Sequence, residues 1–162
     1  MNSEACVAAV NDRPIDILLV EDNEADVKIT LRAFQKAKVK NNIYVANDGQ
    51  EALDFIHHEG KYQDPKKFPC PDLILLDINM PKMNGFEVLK KLKSNPQFNF
   101  ILVVMLTSSK NEEDVMKSYQ NGAVSFIPKP VDFEAFIKVV DGFNFYWHII
   151  NKLPHTAKQA KE

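Results

Sequence analysis

The sequence predicts an α/β fold in which helices cover both faces of a doubly wound parallel sheet. Hydrophobic runs alternate with amphipathic stretches from Ile15 to Leu153, which is the pattern of repeated strand and helix units. Several runs are nearly continuous in Ile, Leu and Val, as is typical of strands covered on both faces. The pattern predicts five strands and five helices, but it does not give the order of the strands in the sheet.

The predicted elements have recognisable ends. The strands are residues 15–20, 42–46, 73–76, 101–106 and 125–127, and the helices are residues 24–38, 50–58, 86–93, 112–121 and 133–152. Asp132 is placed to cap the start of the last helix. Asn121 and Gly122 form a helix stop.

Two segments depart from the regular alternation. The first is residues 59–71, a loop that contains Gly60, three prolines and the pair Lys66-Lys67, which we interpret as solvated loop charges. The second is the last helix, whose apolar series is larger than one sheet face needs: Phe133, Phe136, Ile137, Val140, Phe143, Tyr146, Trp147 and Ile150. A series at helical spacing is either core or interface, and both alternatives stay open.

Length, charge and composition narrow the class of protein. A chain of 162 residues with 45% hydrophobic composition suits one domain, and we expect it at residues 15–153, with tails at 1–14 and 154–162. A formal charge of −2 gives no indication of a nucleic-acid surface. Neither a signal peptide nor a membrane span is evident, so we expect a cytoplasmic protein. Cys6 and Cys70 lie far apart, and we expect free thiols.

Charged and hydroxyl side chains directly follow four of the predicted strands. They are Glu21 and Asp22 after the first strand, Asp77 after the third, Thr107 and Ser108 after the fourth, and Lys129 with Pro130 after the fifth. The crevice of an open α/β sheet lies beyond the carboxyl ends of its strands, so these residues should converge. Singly, each has a simpler explanation as a helix or turn cap; together they indicate a functional site.

Three of these residues are carboxylates that would repel one another. A hard divalent cation with oxygen ligands makes such a cluster tolerable, and Mg²⁺ fits best because it could also neutralise an incoming phosphoryl group. A carboxylate can itself accept a phosphoryl group, and Asp77 is the best candidate nucleophile. Lys129 and the Thr107 hydroxyl would add stabilisation.

These residues carry a family resemblance. The segments Ile17-Leu-Leu-Val-Glu-Asp22, Asp77-x-x-Met-Pro-x-x-x-Gly85, Leu106-Thr-Ser108 and Lys129-Pro130 resemble, in order and spacing, the receiver domain of two-component response regulators. The resemblance implies a flavodoxin-like sheet of order 2-1-3-4-5, the order found in the chemotaxis regulator of this family. That order puts the last strand at an edge, where Pro128 is tolerated.

The resemblance also implies roles for single residues. Asp77 would receive phosphate, and Asp22, Asp77 and the backbone carbonyl of Asn79 would bind Mg²⁺ directly, with Glu21 acting through metal-bound water. Thr107, the Ser108 backbone N–H and Lys129 would hold phosphoryl oxygens, and the Lys129-Pro130 bond would be cis. Asn79 and Ser109 match positions that tune dephosphorylation.

The family switch implies a partner for Thr107. When the threonine moves toward the phosphoryl group, an aromatic residue on the fifth strand turns inward, and that residue is Phe126 here. Many members of the family carry Tyr, so one hydrogen bond that could distinguish the two states is missing. A fixed core role for Phe126 is the alternative.

The resemblance points to a stand-alone regulator similar to the chemotaxis regulator. Residues 154–162 are too few for an output domain, so we expect signalling through the face of helix 4, strand 5 and helix 5. A histidine kinase or phosphotransfer protein would be the donor, and the chain would catalyse only its own phosphorylation and dephosphorylation. A weaker similarity to phytochrome-associated regulators suggests a bacterial phytochrome kinase and a homodimer, with no nucleic acid or membrane partner.

Two other functions compete with this one. A Mg²⁺-dependent aspartyl-phosphate phosphatase would need a second aspartate two positions after the nucleophile, where this chain has Asn79. A pseudo-receiver that only binds proteins would usually have lost one of the site residues. His57 and His58 lack further metal ligands nearby, and we interpret them as surface residues.

Overall fold

The computed structural model describes residues 14–36, 41–108, 112–123 and 125–131, together with Glu134, Ala135 and Lys138. Within these residues the fold is the one expected from the sequence. Five parallel strands form one sheet in the order β2-β1-β3-β4-β5. The strands are β1 (Ile15–Val20), β2 (Asn41–Ala46), β3 (Leu73–Asp77), β4 (Leu102–Thr107) and β5 (Ser125–Pro128).

Four helices connect these strands: α1 (Glu24–Lys36), α2 (Gly49–His57), α3 (Gly85–Lys93) and α4 (Glu112–Gln120). Side chains cap the starts of α2 and α3. Asp48 accepts a hydrogen bond from the backbone N–H of Glu51, and Asn84 accepts one from the backbone N–H of Glu87. The predicted stop after α4 is confirmed, because Gly122 has φ +97°. Most of the predicted fifth helix lies outside the described residues, as does its predicted cap, Asp132.

The core lies on both faces of the sheet, which explains the unbroken apolar runs. All residues of β3 and β4 are buried. The cluster on one face includes Leu18, Leu76 and Phe55, and the cluster on the other includes Leu19, Leu75 and Phe34. Because successive strand residues point to opposite faces, each central strand contributes to both clusters. The predicted edge position of β5 is confirmed, and Pro128 ends that strand opposite Thr107.

The long loop before β3 is anchored to α2 by its aromatic residues. Gly60–Tyr62 forms a short 3-10 turn, and Tyr62 is buried with its ring 5.0 Å from that of Phe55. Phe68 packs edge-on against both rings. Lys66 and Lys67 are exposed, as expected of a solvated pair.

Two expectations for this part of the chain are wrong. His58 is buried rather than on the surface, because a left-handed backbone at the end of α2 turns its ring toward the loop, where Nε2 lies 2.7 Å from the carbonyl oxygen of Phe68. Cys70 is buried and disulfide-bonded rather than a free thiol. Sequence separation gives no measure of distance in a folded chain, and the other cysteine lies outside the described residues. Among the described residues, no helix is long and apolar enough to cross a bilayer.

Candidate functional site

Backbone hydrogen bonds extend the strand pairing past the carboxyl ends of the strands and hold the first site residues in position. The N–H of Glu21 donates to the carbonyl of Ala46 at 3.0 Å, and the N–H of Ile78 donates to that of Leu106 at 2.9 Å. At the edge strand, the N–H of Lys129 donates to the carbonyl of Thr107 at 2.6 Å. Together with the pairing of Val20 in β1 with Leu76 in β3, these bonds bring the ends of β1, β3, β4 and β5 to one edge, as the sequence predicted.

Three carboxylates meet at this edge. One oxygen each from Glu21, Asp22 and Asp77 can be chosen so that all three lie within 4.8 Å of one another. Glu21 and Asp77 are buried whereas Asp22 is exposed, so the group opens to solvent on the Asp22 side. Hard oxygen donors, a deficit of positive charge and access from solvent fit a divalent cation such as Mg²⁺ or Mn²⁺.

Lys129 reaches into the same cluster from the end of β5. Its Nζ lies 2.5 Å from Glu21 Oε2, 3.0 Å from Asp26 Oδ2 and 3.2 Å from Asp77 Oδ1. We call these five residues, Glu21, Asp22, Asp26, Asp77 and Lys129, the strand-end cluster. The cluster contains four carboxylates and one ammonium, and three of the carboxylates contact that ammonium, so the cluster carries excess negative charge.

Asp26 is the member that the sequence did not reveal. It lies in the first turn of α1 and not at a strand end, so an inspection of strand ends passes over it. The signal was available: α1 follows β1 directly, so its first turn lies at the carboxyl edge of the sheet, beside Asp22.

Burial and charge perturb the pKa values of the cluster. Burial, with a smaller contribution from the charge of Asp77, raises the pKa of Glu21 to about 7 against the lowering effect of Lys129. Burial also raises the pKa of Asp77, opposed by Lys129. For Lys129, burial alone would lower the pKa, but hydrogen bonds to Glu21 and Asp26 and the charge of Asp77 raise it above its usual value. A single lysine therefore leaves this site short of positive charge.

The remaining predicted residues follow Asp77 in the chain or lie at the end of the neighbouring strand β4. Thr107 is fully buried at the end of β4, and Ser108 beside it is exposed. The N–H of Asn79 donates to Asp77 Oδ1 at 3.4 Å, and the Asn79 side chain is exposed. Ser109 lies outside the described residues.

The turn after β3 requires a glycine. A Cβ on Gly85 would lie 2.3 Å from the carbonyl oxygen of Asp77, and the N–H of Gly85 donates to the carbonyl of Ile78 at 2.9 Å. Lys82 in the same turn has φ +69°. The close approach holds the backbone that carries Asp77, a role the motif alone did not explain.

Two further predictions concern β5 and its end. The Lys129-Pro130 peptide bond is cis, as the resemblance implied. Phe126 is half-buried and packs against the cluster of apolar residues that contains Leu76 and Met105. It is neither fully inside nor exposed.

Comparison with known proteins identifies the family of this chain. Residues 17–141 match the response regulator receiver domain family. The chain belongs to this family. The match contains every residue of the strand-end cluster, so the receiver domain includes the whole candidate site.

Similar proteins include response regulators, two of which are named for phytochromes. Response regulator Rcp1 of Synechocystis sp. is 37% identical over 134 residues, which cover 83% of this chain and 89% of Rcp1. The structure of the Mn²⁺-bound form of Rcp1 superposes with a TM-score of 0.68 at 36% identity, covering 83% of this chain and 94% of that one. The bacteriophytochrome response regulator AtBRR is 42% identical with a TM-score of 0.71, covering 80% and 91%. The phosphorylated cyanobacterial phytochrome response regulator RcpA is 36% identical with a TM-score of 0.70, covering 88% and 99%.

Proposed function

We propose that this receiver domain accepts a phosphoryl group on Asp77 from a histidine kinase or phosphotransfer protein, in a reaction that depends on Mg²⁺. The observation that carries the proposal is the placement of Asp77. Its carboxylate is buried at the end of the central strand β3, 3.2 Å from Lys129 and beside Glu21 and Asp22.

The proposed transfer balances without a further reactant. An oxygen of Asp77 attacks phosphorus, the bond between phosphorus and the donor nitrogen breaks, and the released imidazole takes a proton from solvent. Positioning and charge stabilisation are the main requirements of such a transfer. Asp77 is held in place by the N–H of Asn79 and by Lys129, so the nucleophile is oriented before the donor arrives.

The cation would be held by Asp22, Asp77 and the backbone carbonyl of Asn79, with Glu21 acting through water. When bound, Mg²⁺ neutralises charge on phosphoryl oxygens. The fit of the donor set and the Mn²⁺-bound form of Rcp1 support this assignment. Thr107 and the N–H of Ser108, at the end of β4, would hold further phosphoryl oxygens, and Lys129 would pair with another.

Output would leave through the face formed by α4, β5 and the predicted fifth helix. Met116 and Tyr119 on α4 are 61% and 52% exposed, which is high for apolar side chains of this size. Phe126 on the adjacent β5 is half-buried and packs on the core, so it could couple Thr107 to this face. The same face would carry a homodimer or a docking partner. Outside its own phosphorylation and dephosphorylation the domain would catalyse no reaction.

The donor kinase would belong to a photosensory system. Two of the similar proteins are named as phytochrome response regulators, one of them in its phosphorylated form. A bacterial phytochrome kinase is therefore the donor to test first. The domain would act in the cytoplasm.

The direct test compares wild type, Asp77→Asn and Asp64→Asn after incubation with Mg²⁺ and acetyl phosphate, by intact mass spectrometry. Asp64 is an exposed loop aspartate and provides a matched control. We expect wild type and Asp64→Asn to gain one phosphoryl group and Asp77→Asn to gain none, with no gain in EDTA. Size-exclusion chromatography of the same samples reports whether phosphorylation changes the oligomeric state.

Two outcomes would contradict the proposal. If wild type gains no mass in Mg²⁺, the pseudo-receiver interpretation replaces it. If all three proteins are labelled equally, the acceptor is a different residue. Turnover of a small phosphate ester that depends on Asp77 would favour a phosphatase instead.

A further inference from the structure

The ammonium of Lys129 lies among three carboxylates and donates a hydrogen bond to Asp26 Oδ2 at 3.0 Å. An ammonium carries three N–H donors, and Nζ of Lys129 lies within ion-pair distance of three carboxylates, those of Glu21, Asp26 and Asp77. Phosphorylation turns the carboxylate of Asp77 into an acyl phosphate, so the contact of Asp77 with Lys129 can pass to a phosphoryl oxygen. Glu21 and Asp26 remain charged and compete with that oxygen for Lys129.

The three carboxylates differ in how readily they can return to water. The side chains of Glu21 and Asp77 are 1% and 3% exposed, whereas that of Asp26 is 31% exposed. A buried carboxylate that loses its cation is left desolvated and unpaired, which is costly. Of the two carboxylates that stay charged when Asp77 is phosphorylated, Glu21 and Asp26, only Asp26 can exchange Lys129 for water at little cost.

The surroundings of Asp26 hold its backbone in place. Its N–H donates to Asn23 Oδ1 at 3.1 Å, and its carbonyl accepts the Thr30 hydroxyl at 2.9 Å. Lys129 is fixed at its own backbone by the bond to Thr107. Since both backbones are held, only side-chain rotation can make or break this contact, which joins residues 103 positions apart.

We propose that Asp26 is a positioning residue whose carboxylate is the exchangeable partner of Lys129, giving way to a phosphoryl oxygen when Asp77 is phosphorylated. The inference rests on the proposed function. In the unphosphorylated protein Asp26 holds the lysine in the site but competes with the phosphoryl group. Its removal therefore favours the phosphorylated state.

The test uses beryllofluoride, a non-covalent phosphoryl mimic, with the full chain in Mg²⁺. Affinity is measured by fluorine NMR for wild type, Asp26→Asn and Glu24→Gln. Glu24 is an exposed acidic residue in the same turn of α1, so its variant makes the same change of charge at the helix start. A partly exposed ion pair is weak, so we expect Asp26→Asn to bind beryllofluoride about two- to fivefold more tightly and Glu24→Gln to match wild type.

Three further measurements separate this role from a structural one. Asp26→Glu keeps the charge and should bring the affinity back toward that of wild type. The gain in Asp26→Asn should shrink at high salt, because screening weakens a partly exposed pair. Phosphoryl lifetime after removal of acetyl phosphate should lengthen in Asp26→Asn by a similar factor.

The outcomes distinguish this inference from the proposed function. If wild type binds no beryllofluoride and gains no phosphoryl mass, the proposed function fails. If wild type binds it and Asp26→Asn binds no more tightly than Glu24→Gln, only the role of Asp26 is overturned. Should Asp26→Asn unfold, as monitored by circular dichroism, Asp26→Ser supplies the same comparison, because it also removes the charge and keeps a small polar side chain in the turn.

Discussion

Glu21 and Glu51 each form an ion pair with a lysine, yet their surroundings shift the pKa of the two carboxyl groups in opposite directions. Glu21 shares Lys129 with two other carboxylates. Glu51 has several donors to itself: the Tyr62 hydroxyl, Lys61 at 3.1 Å and the backbone N–H of Asn47 at 3.2 Å. We call Glu51, Tyr62, Lys61 and Asn47 the loop cluster.

The pKa directions follow from this difference in donors. Burial raises the pKa of both carboxyl groups, but hydrogen bonds from Tyr62, Lys61 and Asn47 outweigh burial for Glu51 and lower its pKa. For Glu21, the hydrogen bonds from Lys129 and Asn23 do not outweigh burial, and its pKa is raised to about 7. A carboxylate with ample donors is a structural anchor, here for the long loop before β3. A set of carboxylates short of donors favours the arrival of a cation, as a metal-dependent site requires.

Removal of each lysine gives the largest expected contrast between the clusters. Lys129→Met leaves buried carboxylates without a cation and should lower the free energy of unfolding by about 3–5 kcal/mol at pH 8 in EDTA. Lys61 is highly exposed, so Lys61→Met should change the free energy of unfolding little. Urea unfolding of both variants measures the difference. Equal losses would mean that the strand-end cluster is no more strained than the loop cluster.

Removal of each glutamate charge should give effects of opposite sign. Between its usual pKa of 4.5 and the raised value of about 7, folded Glu21 binds more protons than unfolded Glu21, so its ionisation costs stability as the pH rises. Glu21→Gln should therefore stabilise the metal-free protein at pH 8 by on the order of 2 kcal/mol, and this gain should vanish as the pH falls toward 4.5.

Glu51→Gln is the matched control for the pH dependence. Because the pKa of folded Glu51 is lowered, its ionised form stabilises the fold above the usual pKa, and this contribution is lost as the pH falls through the folded value. Glu51→Gln should therefore destabilise the protein by a constant amount between pH 8 and pH 5. Thermal unfolding from pH 5 to 8 in EDTA measures both variants, and a stability of Glu21→Gln that runs parallel to wild type over this range would refute the raised pKa.

Much of the fold could be predicted because its physical cause is visible in the sequence. Strands β3 and β4 are buried along their whole length, and continuous burial requires continuous apolar residues. The strand order came from the family resemblance and not from periodicity. The start of α2 was placed one residue late, because its position is set by the bond from Asp48 to Glu51.

The candidate site could be predicted only where it obeys the strand-end rule. Asp77 and Thr107 end their strands, while Glu21, Asp22 and Lys129 come just after theirs, and the structure brings these chain positions together at one edge. Asp26 comes from the helix that follows β1, and its contact with Lys129 depends on side-chain reach. His58 was missed for a related reason, since one left-handed residue turns its ring into the loop.

The smallest predicted effect tests whether the loop cluster is structural only. Tyr62→Phe keeps the buried ring against Phe55 and Phe68 but removes the hydroxyl that donates to Glu51. The loss of one hydrogen bond to a carboxylate should lower the free energy of unfolding by about 1–2 kcal/mol, measured by urea unfolding. Phosphoryl uptake from acetyl phosphate should match wild type, because Lys61 and Asn47 still satisfy Glu51 and the strand-end cluster is unchanged. A slower uptake would show that the loop cluster and the strand-end cluster are coupled, and the division between anchor and site would then fail.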